Sequence, residues 1–285
     1  MFKKILFALF ILLVGLFAFL AFYTPSLSNY HGKIQTELFL GDGENQPLIV
    51  GFGGGEGGNA WASDYWKETR DQFLEEGYAF LAIGYFGMKG TPQYLDRISL
   101  NAIYDSIIQI SANPKIDGER IALIGGSKGG ELALNLASRY DDIDAVVAIV
   151  TSHVSFPALT YMANTSSWTF DDEEVPFVPA PFEAVPAMLK HDLHRAFSIM
   201  LEDNDAEELA FIEVQNINGA ILLVSATKDE FWPSTDMSGQ IMERLKRNNF
   251  EHYYEHLPIE GSHSAPLDHF DEISSFLKQN FKEVD

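Results

Sequence analysis

The sequence predicts an α/β fold in which a mainly parallel sheet is covered by helices on both faces. The first reason is that short apolar segments alternate along the chain with segments of helical periodicity. The second is that these apolar segments are continuous, which is typical of strands buried on both faces of a parallel sheet. The chain has 285 residues, which suits one large domain or two small ones.

The elements follow one another in a regular order up to one long interruption. Strands are predicted at about 33–40, 47–52, 79–83, from 120, 144–150, 219–225 and 252–257. Helices are predicted at about 62–77 and 99–112, in the second half of 121–139, and at about 187–203, 236–248 and 269–281. The interruption, at about 151–217, is rich in aromatic residues and proline. We interpret it as an inserted cap over the C-terminal edge of the sheet, where such folds place a substrate site.

The N-terminal segment indicates a membrane anchor. Lys3 and Lys4 precede an uncharged apolar run at 5–23, whose length as a helix is about 28 Å, close to that of a bilayer core. The two lysines predict that this end stays in the cytoplasm and that the rest is extracytoplasmic, on the periplasmic or cell-surface side. The alternative is a cleaved signal sequence, which would make the protein secreted. Residues 24–45 then form a linker with an edge strand, and 46–285 form the main domain.

Charge and composition narrow the classes of partner. The net charge of -22 argues against nucleic acid, because a phosphate backbone would be repelled. The chain has no cysteine, which excludes disulfides, a thiol nucleophile and thiolate metal sites.

One motif in the middle of the chain points to nucleophilic chemistry. The segment Gly-Gly-Ser-Lys-Gly at 125–129 matches G-x-S-x-G, and it lies between an apolar strand and a helical pattern. A tight turn there presents Ser127 above the edge of the sheet. Gly125 and Gly129 are expected because a side chain at either position would collide with the turned backbone. The alternative is an ordinary glycine-rich turn that happens to carry a serine.

A serine becomes a nucleophile when a base removes its proton and an acid orients the base. In sheet-based hydrolases the chain order is serine, acid, histidine. Asp229 lies four residues past the strand at 219–225, with Glu230 as the neighbouring alternative. Of the eight histidines, His263 has the required position, in the loop between the last strand and the last helix.

The negative charge that develops on the reacting carbonyl oxygen needs N–H donors that are already in place. The backbone amide of Lys128 is one candidate, and the loop after the first buried strand provides the other, from Gly54 or Gly55. The side chain of Lys128 has two interpretations: a cation facing the substrate, or a solvated lysine in the first helical turn.

Two further patterns are weaker. Glycines at 53, 55 and 58 match a dinucleotide fingerprint, but the next strand does not end in the acidic residue that the fingerprint requires. His191 and His194 are spaced to share one face of a helix without an evident third ligand, so a polar face is expected rather than a metal site. No cofactor and no metal are therefore predicted.

The residues around Ser127 resemble a known family. The string Gly-Gly-Ser-Lys-Gly-Gly-Glu-Leu-Ala-Leu at 125–134 is similar to the nucleophile segment of the acyl-CoA thioesterase and bile-acid-CoA:amino-acid N-acyltransferase family, in its C-terminal catalytic domain. The supporting stretches lie at 77–86, 166–170, 176–179, 228–234 and 261–263. The resemblance covers about residues 45–280, and it implies an α/β-hydrolase fold and the triad Ser127, Asp229 and His263.

The resemblance also implies a function. It predicts a serine hydrolase that cleaves a small-molecule acyl thioester or carboxylic ester through an acyl-serine intermediate. The alternatives are an acyltransferase that passes the acyl group to an amine, and a non-catalytic binding protein with the same fold. Serine in place of the cysteine of the conjugating members favours hydrolysis by water. A bacterial-type form without the family's N-terminal β-sandwich domain is expected.

Overall fold

In the computed structural model, which describes residues 2–160 and 164–282, seven strands form the central sheet. The strands, numbered in chain order, are β1 (Gln35–Phe39), β2 (Gln46–Phe52), β3 (Ala79–Gly84), β4 (Ile98–Ser99), β5 (Ile116–Gly126), β6 (Ala145–Ile149), β7 (Trp168–Phe170), β8 (Glu173–Glu174), β9 (Ala220–Ala226) and β10 (Tyr254–Ile259). The central sheet has the order β1-β3-β2-β5-β6-β9-β10. Only β1 pairs antiparallel within it, so the predicted mainly parallel sheet is confirmed.

The chain also forms helices, some of which pack on the two faces of this sheet. Numbered in chain order, they are α1 (Phe2–Phe22), α2 (Lys67–Glu75), α3 (Leu100–Ser111), α4 (Lys128–Ala137), α5 (Val185–Leu189), α6 (Leu193–Met200), α7 (Asn204–Ala210), α8 (Ser234–Arg247) and α9 (Phe270–Leu277). One apolar cluster contains side chains of α3, α4 and α8, and a second contains side chains of α2 and α9. Along β2, Leu48, Val50 and Phe52 face the first cluster while Ile49 faces the second, as the two-residue period of a strand requires.

The helix predicted at 187–203 is not continuous in the structure. The chain forms α5 and α6 there and then continues into α7, with a turn around His191, whose φ is 57°. The side chain of Asp192 accepts the N–H of Arg195 and so starts a new helix at that point. His191 lies in the turn and His194 in α6, so the two histidines do not share one helix. Similarly, 3-10 turns occupy 60–62 and 64–66, which shortens the predicted helix at 62–77 to α2.

The segment at 151–217 is joined to the rest of the domain by a small second sheet. In it β4 pairs parallel with β7, and β7 pairs antiparallel with β8. The side chain of Trp168, at the start of β7, is completely buried in the larger apolar cluster. The segment therefore packs firmly on the sheet even though its own elements are short.

The N-terminal apolar run forms the helix α1. Among the helices of the described residues, none combines the length and the apolar character that crossing a membrane requires. The predicted membrane anchor is therefore wrong, and so are the predicted extracytoplasmic location and its secreted alternative.

Candidate active site

Ser127 occupies a strained turn between β5 and α4. Its φ is 55° and its ψ is -120°, a conformation that costs a non-glycine residue about 1–3 kcal/mol. The turn is held because the Ser127 N–H donates to the carbonyl of Ile149 at 2.8 Å, while the Ser127 carbonyl accepts the N–H groups of Gly130 and Glu131. Strain of this kind persists where the surrounding structure fixes it, and it is common at functional sites.

The predicted need for glycine on both sides of the serine is confirmed. A Cβ on Gly125 would lie 2.1 Å from the carbonyl oxygen of Gly129. A Cβ on Gly129 would lie 2.5 Å from the carbonyl oxygen of Gly53, in the loop after β2. The first contact closes the turn, and the second lets the glycine loop approach the helix start.

Asp229 and His263 are in direct contact. The Nδ1 atom of His263 lies 2.8 and 2.9 Å from the two carboxylate oxygens of Asp229. Oδ1 of Asp229 also accepts the backbone N–H groups of Phe231 and Trp232, at 2.9 and 3.3 Å. Glu230, the alternative acid, instead accepts the backbone N–H of His263 at 2.9 Å. The imidazole ring of His263 is therefore paired with Asp229, and the backbone N–H of His263 is paired with Glu230.

Two opposing effects act on the carboxyl group of Asp229. Burial raises its pKa, but hydrogen bonds from His263, Ser234 and the Phe231 amide, with the charge of His263, outweigh burial and lower the pKa below its ordinary value. Asp229 therefore carries a negative charge beside the His263 ring at neutral pH. This arrangement can orient the ring and stabilise its charged form.

Ser127 and His263 line the same cavity, which has a volume of about 300 Å³. Most of its wall is apolar or backbone, and it opens between the glycine loop, the serine turn and the loop after β10. The lining residues are Phe52, Gly53, Gly54, Glu56, Ala60, Trp61, Tyr65, Trp66, Gly126, Ser127, Ile149, Val150, His263, Ser264 and Leu267. The cavity therefore brings a strained serine and a carboxylate-paired histidine to one space.

The structure distinguishes the two glycines of the candidate oxyanion loop. A Cβ on Gly54 would lie 3.2 Å from the Cβ of Ser127, whereas a Cβ on Gly55 would meet only the side chain of Leu159. Gly54 is therefore the one beside the serine. Its N–H is already engaged, however, because it donates to the Glu56 carboxylate at 3.0 Å.

Two aromatic side chains donate hydrogen bonds to backbone carbonyls at the start of this loop. The indole N–H of Trp61 donates to the carbonyl of Phe52 at 3.2 Å, and the hydroxyl of Tyr85 donates to the carbonyl of Gly53. Burial and the neighbouring charges of Glu56 and Glu131 raise the pKa of Tyr85 well above its ordinary value. Tyr85 therefore stays protonated and remains a donor to the loop.

The side chain of Lys128 does not face the cavity, so both interpretations made from the sequence are wrong. It is 3% exposed, and its Nζ lies 2.9 and 2.8 Å from the two carboxylate oxygens of the fully buried Glu131. Glu131 Oε1 also accepts the indole N–H of Trp168 at 2.7 Å and the backbone N–H of Phe156 at 3.1 Å. Burial lowers the pKa of Lys128 and raises that of Glu131, while their mutual attraction opposes both shifts. The pair links α4 to the segment at 151–217.

Two features of the site were missed in the sequence. Glu56 lies within the glycine loop itself, and Trp61, Tyr65 and Trp66 form a cluster just after it. The sequence does carry a signal for Glu56, because it is the one charged residue within the glycine run at 53–58. In the described ranges, no group of three or more metal-ligating side chains is arranged to hold a metal ion.

A family model described as "BAAT / Acyl-CoA thioester hydrolase C terminal" matches residues 103–264. The match runs from α3 to the loop that carries His263, which is more than half of the chain. The chain belongs to this family. The resemblance noted in the sequence around Ser127 is thereby confirmed.

Known proteins similar to this chain agree with that assignment. Acyl-coenzyme A thioesterase 5 of Mus musculus is 25% identical over 256 residues, which are 84% of this chain and 56% of the mouse protein. The chain spans about half the length of the curated relatives it matches.

Solved structures show the same fold at low sequence identity. Acylaminoacyl peptidase from Pyrococcus horikoshii superimposes with a TM-score of 0.64 at 17% identity, over 88% of this chain and 40% of that one. The alpha/beta hydrolase GrgF from Penicillium sp. sh18 gives a TM-score of 0.55 at 14% identity, over 87% of this chain and 99% of that one. The fold is that of the α/β hydrolases.

Proposed function

We propose that this protein is a serine hydrolase that cleaves a small-molecule acyl thioester or carboxylic ester. The observation that carries the proposal is the sharing of one cavity by Ser127, on its strained turn, and His263, whose Nδ1 is hydrogen-bonded to Asp229. The printed names of the relatives, which are acyl-coenzyme A thioesterases, support an acyl thioester as the substrate class. They do not favour transfer of the acyl group to an amine.

In the first half-reaction, Oγ of Ser127 attacks the carbonyl carbon while His263 takes the hydroxyl proton on Nε2, the ring nitrogen that faces away from Asp229. The tetrahedral intermediate collapses when the bond to the leaving sulfur or oxygen breaks, and His263 returns its proton to that atom. An acyl-serine ester remains. Asp229, ionised and fixed by its amide donors, stabilises the imidazolium that forms in between.

In the second half-reaction, water replaces the leaving group. His263 removes a proton from the water as its oxygen attacks the acyl carbon, and it then returns the proton to Oγ of Ser127. The products are a carboxylic acid and the free serine, so that atoms and charge balance.

The developing oxyanion is assigned two backbone donors. One is the N–H of Lys128 at the start of α4, where the helix dipole also favours negative charge. The other is the N–H of Gly54, which lies beside Ser127 and becomes free when Glu56 turns away from it. The segment at 151–217 is proposed to cap the site.

Active-site labelling tests the proposal. A fluorophosphonate probe should label the wild-type protein and fail to label Ser127→Ala. Ser264→Ala is the matched control, since Ser264 lines the same cavity but lies outside the strained turn, and it should still be labelled. Folded wild-type protein that resists the probe and hydrolyses no ester or thioester would refute the proposal.

A further inference from the structure

We infer that the cavity at Ser127 binds the acyl chain of the substrate, and that a row of three aromatic side chains in its wall selects medium-chain acyl groups. The row consists of Trp61, Trp66 and Tyr65. The inference rests on the proposed hydrolase function and deepens it, because it names the substrate class: linear acyl esters or thioesters of about eight to ten acyl carbons.

The cavity lies on the side of the sheet that carries the second apolar cluster. Trp61 and Ile149 belong to that cluster, and Trp66 and Leu267 pack against it, while all four line the cavity. Of the described residues at 151–217, none lines it. The pocket is therefore formed on the sheet itself rather than by the inserted segment.

The aromatic row starts at the strand end that leads into the glycine loop. Trp61 is 3% exposed and donates its indole N–H to the carbonyl of Phe52, the last residue of β2. Trp66 stacks on Trp61 with ring centroids 4.4 Å apart, and Tyr65 meets Trp66 edge-on at 5.1 Å. Tyr65 is 74% exposed, so the row leads from buried surface to solvent.

Other rings fix the two tryptophans in place. The ring centroid of Trp61 lies 5.1 Å from that of Phe80, and the ring centroid of Trp66 lies 5.4 Å from that of Phe270. A wall that is already ordered before binding loses little conformational entropy when a ligand packs on it. The row therefore offers a bound chain a fixed apolar surface.

An apolar wall discriminates between the two halves of an acyl ester or thioester. Methylene groups lower the free energy when they leave water, whereas a charged leaving group raises it unless it finds a partner. Ser127 and His263 supply the reacting groups of the cavity, and most of the remaining wall is apolar or backbone. The acyl chain is therefore the half that occupies the cavity.

The volume of the cavity sets the length of that chain. An apolar cavity of about 150 Å³ holds one benzene molecule, which has six carbons. A cavity of about 300 Å³ therefore holds roughly ten to twelve carbons. The reacting carbonyl fills part of this space, which leaves room for an acyl group of about eight to ten carbons.

Two series of substrates test the inference, each with acyl chains from acetyl to tetradecanoyl below the concentrations at which they form micelles. One series consists of p-nitrophenyl esters and the other of acyl-CoA thioesters. For the wild type we expect kcat/KM to rise by about fourfold for each added methylene group. The rise should end near decanoyl, and it should end at the same length in both series, because the leaving group lies outside the pocket.

Two variants change the wall in different ways. Trp66→Gln replaces an apolar ring with a polar amide, so the ratio of kcat/KM for octanoyl to that for acetyl substrates should fall by about tenfold. Leu267→Trp fills part of the cavity, so kcat/KM should stop rising at a shorter chain. Tyr253→Gln is the matched control, because it removes a half-exposed aromatic ring just before β10, outside the cavity, and should leave the profile unchanged. Circular dichroism establishes that each variant is folded.

The possible results distinguish the acyl pocket from the hydrolase itself. Hydrolysis that depends on Ser127 but has a flat chain-length profile overturns the pocket and leaves the hydrolase proposal standing. An unchanged octanoyl-to-acetyl ratio in Trp66→Gln, or a rise that continues through tetradecanoyl, does the same. If neither series is hydrolysed and the fluorophosphonate probe does not label Ser127, the hydrolase proposal fails, and this inference fails with it.

Discussion

The imidazole Nδ1 of His263 lies 2.8 Å from Oδ1 of Asp229, although the two residues are 34 positions apart in the chain. Asp229→Asn would remove the charge that stabilises the protonated ring and would favour the wrong tautomer of the imidazole. We expect kcat to fall by roughly 10³- to 10⁴-fold with little change in stability. Steady-state kinetics with an ester substrate measures this loss.

Glu230→Gln is the control for that prediction. Glu230 accepts the backbone N–H of His263 rather than a ring nitrogen, and an amide oxygen can accept the same hydrogen bond. Its effect on kcat should be far smaller. Equal losses in the two variants would contradict the assignment of Asp229 as the partner of the ring.

A substitution in the glycine loop tests which amide binds the oxyanion. The Cβ of Gly54→Ala would lie 3.0 Å from the carbonyl oxygen of Gly126 and 3.2 Å from the Cβ of Ser127, so the loop must shift away from the serine. We expect kcat to fall by about 10²-fold, the size of the loss of one oxyanion donor. Gly55→Ala meets only the flexible end of Leu159 and should retain most of the activity. The reverse order of effects would move the donor to Gly55.

The buried pair of Lys128 and Glu131 should stabilise the fold only as a pair. Glu131→Gln leaves the charge of Lys128 buried without its partner, and we expect the free energy of unfolding to fall by about 3–5 kcal/mol. The double variant Lys128→Met with Glu131→Gln should recover part of that loss. Urea denaturation measures both. Glu260→Gln breaks the exposed pair with Lys228 and should cost less than about 1 kcal/mol.

His256 should make stability depend on pH. Burial lowers its pKa below the ordinary value of 6.5, and its Nε2 lies 2.7 Å from Oγ of Ser225. The unfolded chain therefore binds a proton more readily than the native state, so stability is lost as pH falls below about 6.5. His256→Gln should lose less stability than wild type between pH 7.5 and pH 5. His252→Gln, at an exposed position, should follow the wild type; a His256→Gln curve parallel to wild type would contradict the prediction.

The central sheet was predictable because each of its seven strands carries its own signal. Continuous apolar runs such as 219–225 can be buried only between two layers of helices, and the two apolar clusters on either side of β2 are the outcome. The steric need for Gly125 and Gly129 could also be foreseen, since a strand-to-helix turn leaves no room for a Cβ. Asp229 and His263 could be proposed from position because parallel strands end at one edge of the sheet. Their roles as a catalytic pair stay a prediction.

Other properties depended on contacts between distant segments. No local pattern shows that Lys128 turns inward. Its carboxylate partner Glu131 is close in sequence, but the Phe156 carbonyl and the Trp168 ring that it also contacts lie in the segment at 151–217. The break between α5 and α6 was missed because apolar periodicity runs through it, although the cap by Asp192 starts a second helix. The N-terminal run indicated an anchor because charge was absent, and the described helices do not support a membrane span.

By itself the sequence determined the family, the parallel sheet and the tight turn at Ser127, because each follows from residue types at short spacing. Only the tertiary structure decided what faces that serine. The approach of Gly54 to Ser127, the contact of His263 with Asp229 and the placement of Glu56 in the cavity depend on how loops from different strands meet. Such meetings are fixed by the packing of the whole sheet, which no local stretch of sequence encodes.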